Sequence, residues 1–95
     1  MLIVLSRARA AVGARDRIVA TAVEMAAAAR ADPGCLAYTF AADLEDPDVI
    51  VCTELWQSSA ALDAHMAHPH TAAFLHRVHG LTDGEPTLIR HAVTG

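Results

Sequence analysis

Lysine and asparagine are missing from this 95-residue chain altogether, cysteine occurs twice, and aromatic residues make up only 4% of it. Seven arginines against eleven acidic residues leave a net charge of −4, a balance that argues against nucleic acid or an anionic membrane as the main partner. No apolar stretch approaches the roughly 18–20 uncharged residues of a membrane-spanning helix. Cys35 and Cys52 supply neither a disulfide framework nor a zinc-ligand spacing, and both fall in strand-like segments, where a free thiol behaves as a small buried hydrophobe. The opening Met1-Leu2-Ile3-Val4-Leu5 has no basic segment before it and no cleavage site after it, so it is not read as a signal peptide, and a reduced, cytoplasmic protein is expected.

Apolar residues, by contrast, reach 54% of the chain, above the roughly 45–50% usual for soluble domains. A chain this short is expected to form one domain over residues 1–95, and the apolar excess points to a second protein surface. Residues 1–9 form an apolar run that turns alternating, a strand covered on both faces. Gly13 and Asp16 open a helix continuing to about Asp32, with Ile18, Ala22, Met25, Ala26 and Ala29 at helical spacing and Arg17, Thr21, Glu24 and Ala28 on the other side. Pro33-Gly34 stops it. Two strands follow, Cys35 to Ala42 and Val49 to Trp56, around the turn Asp43–Asp48. A turn centred there sets Phe40 opposite Val51, Tyr38 opposite Thr53 and Leu36 opposite Leu55. The other face then holds Cys35, Ala37, Thr39, Ile50, Cys52, Glu54 and Trp56.

Ser58 caps a helix running to about Ala67. Pro69 breaks it, a second piece runs from His70 to about His79, and Gly80 ends that piece. After Thr82-Asp83-Gly84 comes a last strand, Thr87 to Val93. The order β-α-β-β-α-β, with its second helix broken, predicts an α+β, ferredoxin-like fold: an antiparallel sheet with the helices on one face. Every strand is apolar on both faces, so the open face is expected to pack against a second copy as a homodimer.

Pro33-Gly34-Cys35-Leu36-Ala37-Tyr38, Asp43-Leu44-Glu45-Asp46-Pro47, Glu54-Leu55-Trp56, Ala61-Leu62-Asp63-Ala64-His65-Met66 and Pro69-His70, in that order, resemble the antibiotic biosynthesis monooxygenase (ABM) family over nearly the whole chain. The resemblance implies a dimeric α+β barrel with a pocket between sheet and helices. It also implies, for many relatives, cofactor-independent oxygenation of phenols or quinols by dioxygen. Others degrade haem or process small signalling molecules, so activity has to be argued from the site.

Four residues are candidates for that site. The resemblance puts Trp56 on the pocket wall, where it would stack an aromatic substrate; otherwise it is core. His65 falls in the apolar sector of Leu62 and Met66 and so faces the sheet, where a histidine is the natural base at neutral pH. Its other reading is a structural histidine fastening the broken helix. Glu54 could orient His65 or a substrate hydroxyl, but an ion pair with Arg7 or Arg90 is the favoured reading. Tyr38, a further binding candidate, falls on the opposite face in this register, and a slip of one residue would reverse that.

A metal reading of His65, His68, His70, His76 and His79 fails on the sequence. His68 points away from the sector of His65, Pro69 interrupts the helix, and no acidic residue nearby completes a ligand triad. No metal or other cofactor is therefore expected. Haem degraders of the resembled family use an Asn, a helical Trp and a following His; here Asn is absent, His65 stands near the Trp position and His76 faces away. The expectation is an oxygenase acting on a small aromatic substrate with dioxygen. A non-catalytic ligand-binding or stress-related dimer is the alternative, and haem degradation a further one.

Overall fold

The computed structural model describes residues 1–94, and its sheet has the strand order β2-β3-β1-β4, antiparallel throughout. The elements are β1 (Leu2–Arg9), α1 (Arg15–Arg30), β2 (Cys35–Ala42), β3 (Val49–Trp56), α2 (Ser59–Ala67), α3 (Pro69–Val78) and β4 (Thr87–Ala92). This is the expected α+β ferredoxin-like arrangement, with the second helix in two pieces. Ser58 caps α2 by accepting a hydrogen bond from the Ala61 backbone N–H at 3.1 Å. No helix among the described residues is long and apolar enough to cross a membrane.

α1 buries Ile18, Ala22, Met25, Ala26 and Ala29 as its periodicity requires, and it buries Thr21 as well. The expectation that Thr21 faces outward is corrected. α3 packs beside α1, so the flank carrying Thr21 is covered by a helix rather than by water.

The hairpin register differs from the expected one by a single residue. Tyr38 stands opposite Glu54, Phe40 opposite Cys52 and Ala42 opposite Ile50. The cause is the loop, which spans one more residue than a turn over Asp43–Asp48. Asp43 N donates to Val49 O at 3.0 Å and Val49 N donates to Asp46 O at 2.9 Å, so Val49 closes the loop as well as opening β3. Side-chain turns by Asp43 and Asp46 onto the backbones of Glu45 and Asp48 hold that shape. A bulge between Cys35 and Ala37 absorbs the extra residue at the other end and leaves Leu36 exposed. Because side chains alternate, the slip moves Tyr38 to the helix side of the sheet.

The core lies between sheet and helices, built by Leu2, Val4, Met25, Ala26, Ala29, Tyr38, Cys52, Trp56 and Leu62. On the outer face Ile3, Leu5, Val51, Leu55 and Ile89 remain at least partly exposed, as the expected second apolar surface requires.

Candidate functional site

The site begins where α1 ends. Asp32 N donates to Ala29 O at 3.0 Å, Cys35 N donates to Asp32 O at 3.1 Å, and Gln57 N donates to Gly34 O at 2.8 Å, so the Asp32-Pro33-Gly34 turn is tied to α1, β2 and the end of β3. Gly34 has φ +82°, and a Cβ placed there would lie 2.5 Å from the Ala61 Cβ. Only glycine lets the turn come this close to α2. Asp32 is thereby held beside the α2–α3 junction.

Proline shapes that junction. In an unbroken helix His65 O would accept from the N–H of residue 69, but Pro69 has none. Two substitutes take over: Thr71 Oγ1 donates to His65 O at 2.6 Å, and His68 N donates to the same oxygen at 3.1 Å. That accounts for a buried threonine at position 71. His68 then caps α3, its Nδ1 accepting from His70 N at 3.2 Å, and its ring stacks on His70 with centroids 3.8 Å apart.

The break turns His65 and His70 toward one carboxylate. His65 Nδ1 lies 2.7 Å and His70 Nε2 2.9 Å from Asp32 Oδ2. An ionised carboxylate only accepts, so both nitrogens donate. The two histidines hold the Asp32 carboxyl below its usual range, against the opposing effect of burial. With its hydrogen on Nδ1, His65 has a lone pair on Nε2. That nitrogen makes no hydrogen bond among the described residues, and no buried side-chain nitrogen or oxygen is left without a partner. His65 is almost fully buried, its side chain 1% exposed, and it lines a cavity of about 220 Å³ between sheet and helices.

Tyr38, Cys52, Glu54, His65 and Thr71 are among the polar residues of this cavity, with Ser6, Arg7 and Thr82, and Ile18, Met25, Phe40, Ile50 and Phe74 line much of the rest. Tyr38, expected on the far face, is buried here with its ring centroid 5.5 Å from that of His65. Burial raises its phenol pKa, and the nearby Cys52 and Glu54 add to the effect. Glu54 also lines the cavity, but its expected arginine partner is corrected. Trp56 Nε1 donates to Glu54 Oε1 at 2.9 Å, while Arg7 pairs with Asp43 at 3.3 Å on the exposed side. Val4 lies opposite both Glu54 and Arg90, and it separates them by a whole strand. Burial pushes the Glu54 carboxyl upward, opposed by the Trp56 bond and by the charge His65 can carry.

Trp56, expected to stack a substrate, is fully buried and not part of the cavity lining. It lies against His65 instead, ring centroids 4.6 Å apart and the planes tilted by 35°, and so braces the imidazole. His76 is exposed, as expected. Asp32 is the residue the sequence reading missed. It stands 33 positions before His65 and completes with His65 and His70 the acidic triad judged absent, its donor atom within 4.8 Å of theirs.

The profile of the family described as "Antibiotic biosynthesis monooxygenase" matches residues 1–93. A solved structure described as an antibiotic biosynthesis monooxygenase is 27% identical, with a TM-score of 0.92 over 100% of both chains. One described as a putative antibiotic biosynthesis monooxygenase from Deinococcus radiodurans is 23% identical, with a TM-score of 0.93 over 100% of this chain and 94% of that one. A structure from Mycobacterium tuberculosis is 24% identical, with a TM-score of 0.92 over 99% and 95%. Among curated proteins, an uncharacterised protein of Synechocystis is 27% identical over 63 residues, 66% of this chain and 43% of that protein's length. The chain thus spans less than half of the curated relative it matches.

Proposed function

The chain belongs to the antibiotic biosynthesis monooxygenase family, and from its site we propose that it oxidises a small phenol or quinol with dioxygen to a quinone, the substrate itself supplying the electrons. The observation that carries this reading is the Asp32–His65 pair beside a mostly apolar cavity that His65 lines; with the Nδ1 hydrogen donated to Asp32, Nε2 is the nitrogen left to act as base. His65 Nε2 takes the hydroxyl proton, aided by the Asp32 charge behind it. The electron-rich ring then reduces dioxygen and bonds to it. As the O–O bond breaks, one oxygen stays as the new carbonyl. The other leaves as water, carrying the ring hydrogen and the proton that His65 returns. Phenol plus dioxygen gives quinone plus water, with no external reductant. The mostly apolar lining shields the peroxide while Glu54 and Tyr38 orient the substrate's oxygens.

At about 220 Å³ the cavity falls below the roughly 300–1,000 Å³ of drug-sized sites. It fits one or two fused rings rather than a porphyrin, which places haem degradation behind this reading. The working unit is proposed to be a homodimer through the outer sheet face, where Leu5 and Ile89 are 42% and 52% exposed, and its free thiols suit a reducing, cytoplasmic compartment. Oxygen uptake with a panel of mono- and bicyclic phenols and quinols, run beside anaerobic controls, tests the proposal. Oxygen-dependent quinone formation that His65→Ala abolishes is expected. Saturable ligand binding without oxygen consumption across the panel would instead establish the non-catalytic alternative.

A further inference from the structure

We propose that Asp32, His65 and His70 form a binding site for a divalent transition-metal ion of the zinc kind. Their donor atoms come from three separate elements, the turn after α1, α2 and α3, and all lie within 4.8 Å of one another. Two imidazoles and one carboxylate are a donor set that zinc and its first-row neighbours accept, whereas calcium and magnesium prefer oxygen alone.

The fold builds this convergence. Residues five apart on a continuous helix point to different sides, since each residue turns about 100°. His65 and His70 share a target only because Pro69 breaks the helix and His68 and Thr71 satisfy the broken end. The carboxylate is presented by a turn that Gly34 seats against Ala61. The two hydrogen bonds, 2.7 and 2.9 Å, are shorter than the roughly 3.3 Å that separates ligand atoms placed about 2.0–2.1 Å from a tetrahedral ion. An ion therefore needs the carboxylate to withdraw by about half an ångström, a side-chain rotation, as it replaces the two N–H hydrogens. The His70 side chain is 22% exposed against 1% for His65, so entry and a fourth, water ligand lie on the His70 side.

The ion would use His65 Nδ1, and neither Asp32 nor His70 lines the cavity. It would thus sit behind the imidazole and clamp three segments without touching a substrate. Binding itself does not depend on the oxygenase reading. One consequence does rest on that reading: an imidazole ligated through Nδ1 shifts its hydrogen to Nε2, so the loaded protein would have no base.

The test uses untagged protein stripped with a chelator and titrated calorimetrically with Zn²⁺. Co²⁺ reports coordination by its visible absorption, and Mg²⁺ serves as the oxygen-preferring control. One equivalent of Zn²⁺ with micromolar or tighter Kd, and a rise in Tm on loading, are expected. Asp32→Ala and His70→Ala should each weaken binding by more than the roughly 10–100-fold that outer partners of metal sites cost. His76→Ala, on the exposed side of α3, should bind as the parent does. Circular dichroism of the stripped variants shows that they are folded, and His70→Ala, at a partly exposed position, serves if Asp32→Ala does not fold. Absence of stoichiometric Zn²⁺ binding by the parent would overturn the site. So would binding that survives His70→Ala in a folded variant, which would put the ion on surface histidines.

Discussion

Gly34→Ala separates two costs that usually arrive together. Gly34 and Gly80 share nearly the same backbone, φ +82° and +79°, but a Cβ at Gly34 meets the Ala61 Cβ at 2.5 Å while one at Gly80 has nothing within 4 Å. Gly80→Ala therefore carries only the left-handed backbone penalty, about 1–2 kcal/mol. Gly34→Ala adds overpacking, typically about 1–3 kcal/mol, for a total of about 2–5 kcal/mol. Against a stability of roughly 5–14 kcal/mol for a chain of this size, the second loss is large. Each kcal/mol should lower Tm by roughly 4–8 °C. Urea unfolding followed by circular dichroism measures both variants under one set of conditions. Adding Ala61→Gly to Gly34→Ala should recover the packing part, less about 1 kcal/mol of helix propensity. Equal losses in the two glycine variants, or no recovery in the double variant, would refute the account of a turn seated on α2. The placement of Asp32 would then lose its explanation.

Once a substrate is in hand, His65→Ala should lower kcat by about 10²–10⁴-fold, and Asp32→Asn, which can no longer fix the tautomer by charge, should also lower kcat with little change in KM; full activity in either would remove the pair from catalysis. Native protein treated with a thiol reagent at pH 8 should lose one thiol slowly, at the half-buried Cys35, and its second only in denaturant, because burial and Glu54 push the Cys52 thiol up to about 12. Equal rapid labelling of both would refute that burial. The same shift makes stability fall as pH climbs from about 9 toward 12, since the unfolded thiol ionises first and the folded one resists, and urea midpoints across that range measure it. Val51→Asp on the outer face should lower the mass seen by light scattering from about twice 10.0 kDa, or lower solubility; a parent protein that is already a stable monomer would sink the dimer.

Element order and most boundaries were legible because they rest on local signals: Pro33-Gly34 after an alanine-rich helix, Ser58 before α2, Pro69 within a helical pattern. His65 was legible too, since its sector on α2 is set by the helical period. The face of Tyr38 was not, because one residue in the 43–49 loop decides it and both candidate registers leave apolar residues on each face. That ambiguity follows from the apolar composition, which removes the usual polar-out marker. The hydrogen-bond partner of Glu54 was misassigned for a related reason: a strand carboxylate gives no hint that an indole two residues on is its donor. Asp32 carried no signal beyond its place before Pro33-Gly34, where aspartate ordinarily serves the turn. Its partners lie 33 and 38 positions away, and only tertiary packing, of α1 against α3 and of the Gly34 turn against α2, brings them together.

β4 gives the cavity an unevenly protected wall. All six of its residues are exposed, it is hydrogen-bonded to β1 alone, and Leu88 from it and Pro86 before it line the cavity. Amide hydrogens of β4 should exchange with solvent through local opening that costs far less than unfolding the β1–β3 pair, where both strands have a neighbour on each side. Whatever secures that edge therefore also firms one wall of the cavity.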